Sequence, residues 1–396
     1  MPSWISPWTP TMIRTQTKTS VARPRRPART LRSCSTSGES SKMSRHVCQS
    51  TAPPIAALML AVLISAITGC APATIEEAHP VWPPPPAEAR ILHLKNVRSI
   101  SDLAKPSAFD GFIQMLTGGR QLALLRPHDA AVWADRYLFV TDQEQQAVVV
   151  FNLKTAKASL ITQVGGTFLV SPVGVAVCGE WIAVSDSALN RVYLLTPKGK
   201  LIKTIVKPEG FARPTGLAYD SATGLLYVVD TLANEVCVFN LSSGEMVRRF
   251  GSRGQGRGQF NFPTHVCVGP AGRIYVTDSL NFRVQVFDGQ GNYLFHIGQL
   301  GDASGHLAVP KGVGVDSQGH IYVVDSYFSR IQIFNANGVF LLAIGEPGED
   351  SGGFQVPAGL TIDSRNRIYV CDSYNERIQL LQFAGVPDDE IPSESP

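Results

Sequence analysis

The side chains best suited to chemistry are two imidazoles, a carboxylate and an ammonium. His128 and Asp129 follow Pro127 directly, His265 stands two residues after Pro263, and Lys311 follows Pro310. Imidazole nitrogens and carboxylate oxygens are ligands for a divalent cation, and a cation so held can polarise a carbonyl or activate water. Two or three such groups also serve, more simply, as a water-bonded polar lining. No Gly-x-Ser-x-Gly, His-Glu-x-x-His or isolated carboxylate pair accompanies them. The run Gly251-Ser-Arg-Gly254-Gln-Gly256-Arg-Gly258 lacks the Lys-Ser/Thr end of a phosphate cradle and opens a strand-like run, so a nucleotide loop is not expected. The sequence therefore offers a candidate polar or metal-holding set, His128, Asp129, His265 and Lys311, without a catalytic constellation.

Cysteine chemistry points elsewhere. None of the seven cysteines forms a CxxC pair. Cys178, Cys237, Cys267 and Cys371 sit inside β-like runs and are expected as buried free thiols. Cys70 differs, because it ends Ile67-Thr-Gly69-Cys70 directly after an apolar run of about 14 residues, too short to span a bilayer and of the length of a secretory core. That ending resembles the bacterial lipobox, which implies Cys70 as a lipidated N-terminus and export to a membrane surface. Ala71 in place of Asp then implies the outer membrane, facing the periplasm. We expect 1–42 to be an over-extended start or disordered, 43–69 a lipoprotein signal peptide, and 70–89 a Pro-rich tether. Pro83 to Pro86 favour the polyproline II form of a semi-rigid spacer.

The formal charge of +3 is carried by the leader. Residues 1–69 hold nine Lys/Arg and one acid, which leaves 26 basic and 31 acidic residues from Cys70 onward. A net-acidic body gives no electrostatic reason to bind nucleic acid.

The elements that must position the candidate residues come from a repeat. Phe139-Val-Thr-Asp142, Ala183-Val-Ser-Asp186, Tyr227-Val-Val-Asp230, Tyr275-Val-Thr-Asp278, Tyr322-Val-Val-Asp325 and Tyr369-Val-Cys-Asp372 share one form, with aspartates 44, 44, 48, 47 and 47 residues apart. Pro127, Pro172, Pro214, Pro263, Pro310 and Pro357 precede them by 14–16 residues. Short alternating apolar runs separated by Gly, Asn and Asp give four strands per unit, the pattern of a propeller blade. The inter-blade connections of the second half repeat as Gly251/Gly254/Gly258/Phe260, Gly298/Gly301/Gly305/Leu307 and Gly345/Gly348/Gly352/Phe354.

These units, typified by Pro310-Lys-Gly312-Val-Gly-Val-Asp316 and Gly319-His-Ile-Tyr-Val-Val-Asp325, resemble the NHL-repeat family. The resemblance implies an all-β, six-bladed β-propeller over 90–383. A tail over 384–396 is expected to be disordered. The last unit lacks an outer strand, and an open ring would leave an unpaired edge. Residues 90–97 are therefore predicted to close blade 6 as its fourth strand. One short helix is predicted before blade 1. Ser107 and Asp110 fit a capping box, Phe109, Phe112, Ile113 and Leu116 one apolar face, and Gly118 a stop. The repeated Asp, with Arg five residues later in four blades, is expected to be structural.

The resemblance also implies that ligands meet the face where the channel opens. Gly174, Gly216, Gly312 and Gly359 stand two residues after their prolines, and only Asp129 and His265 break this pattern. Phe282, Tyr327, Phe328 and Tyr374 follow the blade aspartates in blades 4 to 6 and form a candidate binding face. The expected function is a non-catalytic, lipid-anchored binding module for an envelope protein, peptide or saccharide, monomeric and without cofactor. The alternative is a lyase or lactone hydrolase using a divalent cation at the channel mouth.

Overall fold

The computed structural model describes residues 79–103 and 122–385. The expected signal segment, Cys70, the first part of the tether, the helix expected around Phe109 to Leu116 and residues 386–396 lie outside them. No helix among the described residues is long and apolar enough to cross a membrane.

Twenty-four strands form six four-stranded antiparallel blades, with strand a at the central channel and strand d outside. All six anchor prolines are the first residue of strand a. These strands are Pro127–Trp133, Pro172–Cys178, Pro214–Asp220, Pro263–Val268, Pro310–Val315 and Pro357–Ile362. A proline lacks an N–H, so a strand start is where a ladder loses least by it. Each proline faces the aspartate that ends strand b, as in Pro263 opposite Asp278 and Pro357 opposite Asp372. This pairing explains the constant spacing of the two residues in the sequence. Just beyond the proline, every blade carries one extra residue on strand a, a β-bulge. Bulges bend a strand and re-aim its side chains.

The ring closes as predicted. Ile91–Val97 pairs antiparallel with Arg377–Phe383 and supplies the outer strand of blade 6. Val81–Trp82 then pairs with Leu92 and Ile91, adding a short fifth strand. The chain therefore joins the propeller at Val81, within the stretch expected as tether, because the unpaired outer edge of Ile91–Val97 offers backbone partners there. A four-residue helix, Ile100–Leu103, precedes blade 1.

Six apolar clusters fill the spaces between neighbouring blades. The seam is sealed like the other joints, with Val97, Tyr369, Cys371 and Ile378 of blade 6 against Leu138, Val140 and Phe151 of blade 1. In the second half the inter-blade connections plug this core with Phe260, Leu307 and Phe354, all fully buried. Gly251, Gly298 and Gly345 each have a positive φ, and a Cβ there would come within 2.5 Å or less of that plug. Both facts require glycine.

Candidate functional site

The blade aspartates are structural, as expected. All six are fully buried. Their carboxylates cap the b–c turn, as in the bonds from Ala188 N and Leu189 N to Asp186. They also accept backbone N–H groups from the segment just before strand a, such as Leu125 to Asp142 at 2.8 Å and Arg213 to Asp230 at 2.7 Å. The arginine five residues on pairs with its aspartate in blade 4, Arg283 with Asp278 at 2.9 Å, and in blade 6, Arg377 with Asp372 at 2.8 Å. Arg191 is exposed, and Arg330 lies over the Phe328 ring. The four cysteines are free thiols, three of them fully buried. Burial pushes Cys178, Cys237 and Cys267 up to about 12, which keeps them unreactive.

The b–c turns bond to the residues before strand a, as in Tyr374 N to Gln355 O and Thr231 N to Arg213 O. They therefore share a rim with the channel mouth. Within that rim lies a cavity of about 250 Å³, lined in part by His128, Arg213, Thr264, His265 and Lys311. A second cavity of about 280 Å³ continues into the channel and is lined by Asp129, His265 and the inner faces of the a strands. His265 borders both.

The structure thus brings His128, His265 and Lys311 together and sets Asp129 apart. The imidazoles of His128 and His265 stack with centroids 5.7 Å apart and planes 9° from parallel. Both nitrogens of His265, and Nδ1 of His128, are buried without a hydrogen-bond partner. Asp129 instead accepts N–H groups from Ala130 at 3.0 Å and from Val175 of blade 2 at 3.2 Å. The glycine pattern follows from crowding at the axis. A Cβ on Gly216 would meet the His265 Cα at 2.6 Å, and one on Gly359 would meet Asp129 Oδ1 at 2.6 Å. Gly174 and Gly312 are crowded in the same way by the backbone of the next a strand, so the close approach of the strands at the axis requires glycine there.

Burial sets the protonation states. It lowers His128 to about 4, helped by the nearby Lys311 and Arg213 charges. His265 is held well below the ordinary range by burial, then by His128 and Lys311. Burial raises Asp129 to about 7 against its two backbone hydrogen bonds. Lys311 is lowered by burial alone. The mouth is therefore a positive site with neutral imidazoles. Sequence reasoning did not include Arg213, whose guanidinium lies over the Phe262 ring at 5.7 Å. Its position directly before Pro214 was the available signal.

The four aromatics divide. Tyr327 is 70% and Tyr374 56% exposed. Phe328 is half-buried, edge-on to Tyr327 at 5.1 Å. Phe282 is half-buried, has a left-handed φ of 57°, and lines a separate crevice with Leu280 and Leu300.

Comparison with known proteins agrees with the architecture. Residues 260–287 match the NHL repeat, and 314–385 match a family described as a 6-bladed beta-propeller. The chain folds as a six-bladed β-propeller and carries a match to the NHL repeat within it. It is 34% identical over 123 residues to human NHL repeat-containing protein 3, covering 30% of this chain and 34% of that one. It is 27% identical over 148 residues to the mouse peptidyl-glycine alpha-amidating monooxygenase, 33% of this chain and 15% of that one. The chain thus matches about a third or less of the length of these curated relatives. Among solved structures, an auxiliary nutrient binding protein from Bacteroides thetaiotaomicron superposes with a TM-score of 0.53 at 14% identity, over 65% of this chain and 69% of that one. A protein of unknown function from the same organism gives the same score and identity, over 65% and 70%. At that identity the likeness is one of fold.

Proposed function

We propose that this protein is a non-catalytic binding module, tethered through a lipidated Cys70 and presenting its channel face to a partner in the cell envelope. The observation that carries the reading is an apolar rim. The residue two after the blade aspartate is Leu232, Leu280, Tyr327 and Tyr374 in blades 3 to 6, at 55%, 52%, 70% and 56% exposure. Four large apolar groups at one offset on one rim suit an interface better than scattered surface residues do. The nutrient-binding protein of the same fold supports a binding role by analogy only.

The test is capture of envelope partners by the purified lipoprotein. Tyr327→Ser with Tyr374→Ser should weaken capture while leaving melting nearly unchanged. Unaltered capture would refute the rim. Cys70→Ala should release an unanchored or unprocessed form, and normal retention would refute the lipid anchor.

The unpartnered nitrogens of His265 and Nδ1 of His128 favour the second reading, a metal-assisted lyase or lactone hydrolase. Two features weaken it. Among the described residues no three His, Cys, Asp or Glu stand where they could share an ion. Stacked rings also present their in-plane lone pairs side by side rather than toward a common centre. Elemental analysis decides between the readings. A stoichiometric metal lost in His265→Ala would favour the enzyme.

A further inference from the structure

Lys311 stands out by contrast with another lysine of the same chain. Lys207 is 4% exposed and fully provided for, with Asp230 at 2.8 Å, Glu235 at 2.6 Å and Glu209 at 3.7 Å. That is the usual solution for a buried ammonium. Lys311 is half-buried, and among the described residues no carboxylate pairs with it. Arg213, exposed on the same cavity, has no acidic side-chain partner among the described residues either, and none of their Asp or Glu side chains lines that cavity. Asp129, the acid beside His128 in the chain, lines the channel cavity instead and is engaged by Ala130 and Val175. Beside these two cations lies the buried His265 ring with both nitrogens unpartnered. The surrounding threonines brace the site instead of filling it. The Thr215 and Thr231 hydroxyls lie 2.7 Å apart, and they donate to the carbonyls of Thr264 and Pro263 respectively.

A buried ring left unpartnered, as His265 is, is retained where a ligand completes it. The sign of the charge selects the ligand. A metal ion would meet two cations without acidic partners, whereas an anion would meet one ammonium, one guanidinium and the imidazole N–H of His265. We propose that the channel mouth binds a small molecule through an oxyanion group, a carboxylate or a phosphate, held between Lys311 and Arg213 with His265 as a further donor. The guanidinium supplies a two-pronged donor for such a group. A cavity of about 250 Å³ admits a ligand of a few heavy atoms beyond the oxyanion. The inference rests on the reading of this face as the binding face, but names a different part of it from the apolar rim.

Isothermal titration of the purified chain with succinate and with inorganic phosphate tests it. At least one should bind in the millimolar range or tighter, and which one binds tells carboxylate from phosphate. Lys311→Met should weaken that binding by roughly tenfold or more, and Lys311→Arg should retain most of it. Arg213→Gln, an exposed change that cannot disturb folding much, should weaken it too. Binding of neither anion, or affinities in Lys311→Met and Arg213→Gln within about twofold of the parent, would overturn the proposal. Partner capture through Tyr327 and Tyr374 would be unaffected by that result, so the binding-module reading would stand or fall separately.

Discussion

The two halves of the ring hold their inter-blade connections by different physics. In blades 4 to 6 the third residue of strand c is glutamine. Gln285, Gln332 and Gln379 each donate to a connection carbonyl, of Gln259, His306 and Gly353, and each accept a glycine N–H, of Gly258, Gly305 and Gly352. In blades 1 to 3 the same position is Val149, Tyr193 and Cys237, all buried, and the Cys237 thiol reaches Glu235 Oε1 at 3.6 Å rather than the connection backbone. The polar clasp needs a connection long enough to bring its backbone back over strand c. That accounts for the 47–48-residue repeats of the second half against 44 in the first. Blade 3 stands between the two designs. Glu235 occupies the arginine position, and the charge is inverted by Lys207 reaching in from the connection. One fold position thus accepts Arg with Asp, Lys with Asp and Glu, or hydrocarbon, provided the buried groups are matched.

Removing one member of a matched set gives the largest expected effect. Arg377 is 1% exposed and bonds Asp372, Glu349 O, Asp350 O and Gly353 O. Arg377→Ala leaves Asp372 and three carbonyls short of donors and should cost about 3–5 kcal/mol. Arg191→Ala, at the same position in blade 2 but exposed, should stay within about 0.5 kcal/mol. Denaturant midpoints compare the two directly. Equal effects would mean that the polar half is no more dependent on its clasp than the apolar half.

The two lysines sharpen the contrast with opposite signs. Lys207→Met strands buried Asp230 and Glu235 and should destabilise by about 3 kcal/mol. Lys311→Met removes an unpaired, partly buried charge and should leave melting unchanged or raise it. A loss of stability in Lys311→Met would show that the mouth is held together by that ammonium.

Much of this was legible from short-range pattern. The proline and aspartate of each blade are about 15 residues apart and face one another across one hairpin, so their spacing reports the contact. The closure strand was legible because an unpaired edge demanded it. The glutamine clasp was visible as Arg283-Val-Gln285, Arg330-Ile-Gln332 and Arg377-Ile-Gln379, but its meaning depends on a connection folded back over it. The candidate site was half legible. His128 and Asp129 are neighbours in sequence, yet the bulge after Pro127 sends one to the mouth and the other to the channel. Periodicity cannot reveal a bulge. Arg213 lies 85 residues from His128 and 98 from Lys311 in the chain, and only the closed ring makes them neighbours.

A smaller effect separates the mouth from the channel by pH. Asp129 has a folded value of about 7 against an ordinary 3.8, so it favours folding below about 4 and loses that contribution as pH rises through 7. His128 has a folded value of about 4 against 6.5, so its contribution is complete above 6.5 and lost as pH falls through 4. The slopes oppose each other. Asp129→Asn should remove the decline between pH 4 and 7 and gain about 2 kcal/mol or more at pH 8. His128→Gln should remove the acid-side loss instead. Thermal melts across that range would show whether the two adjacent residues titrate in separate surroundings.

The smallest effect concerns the rim of the second half. Tyr327 is 70% exposed and loses chiefly its edge-on contact with Phe328, so Tyr327→Ser should cost no more than about 0.5–1 kcal/mol. Phe328 beside it is half-buried, with Tyr327 edge-on and the Arg330 guanidinium 4.6 Å from its ring centroid. An aromatic pair and a cation over a ring are each worth about 0.5–1 kcal/mol, so Phe328→Ser should cost about 1–2 kcal/mol. The two changes sit side by side and remove similar apolar area, yet one should act on partner capture and the other on folding. If Phe328→Ser melts like the parent while Tyr327→Ser does not, the roles are reversed. The exposed leucines at the same offset, Leu232 and Leu280, would then be the better anchors to test.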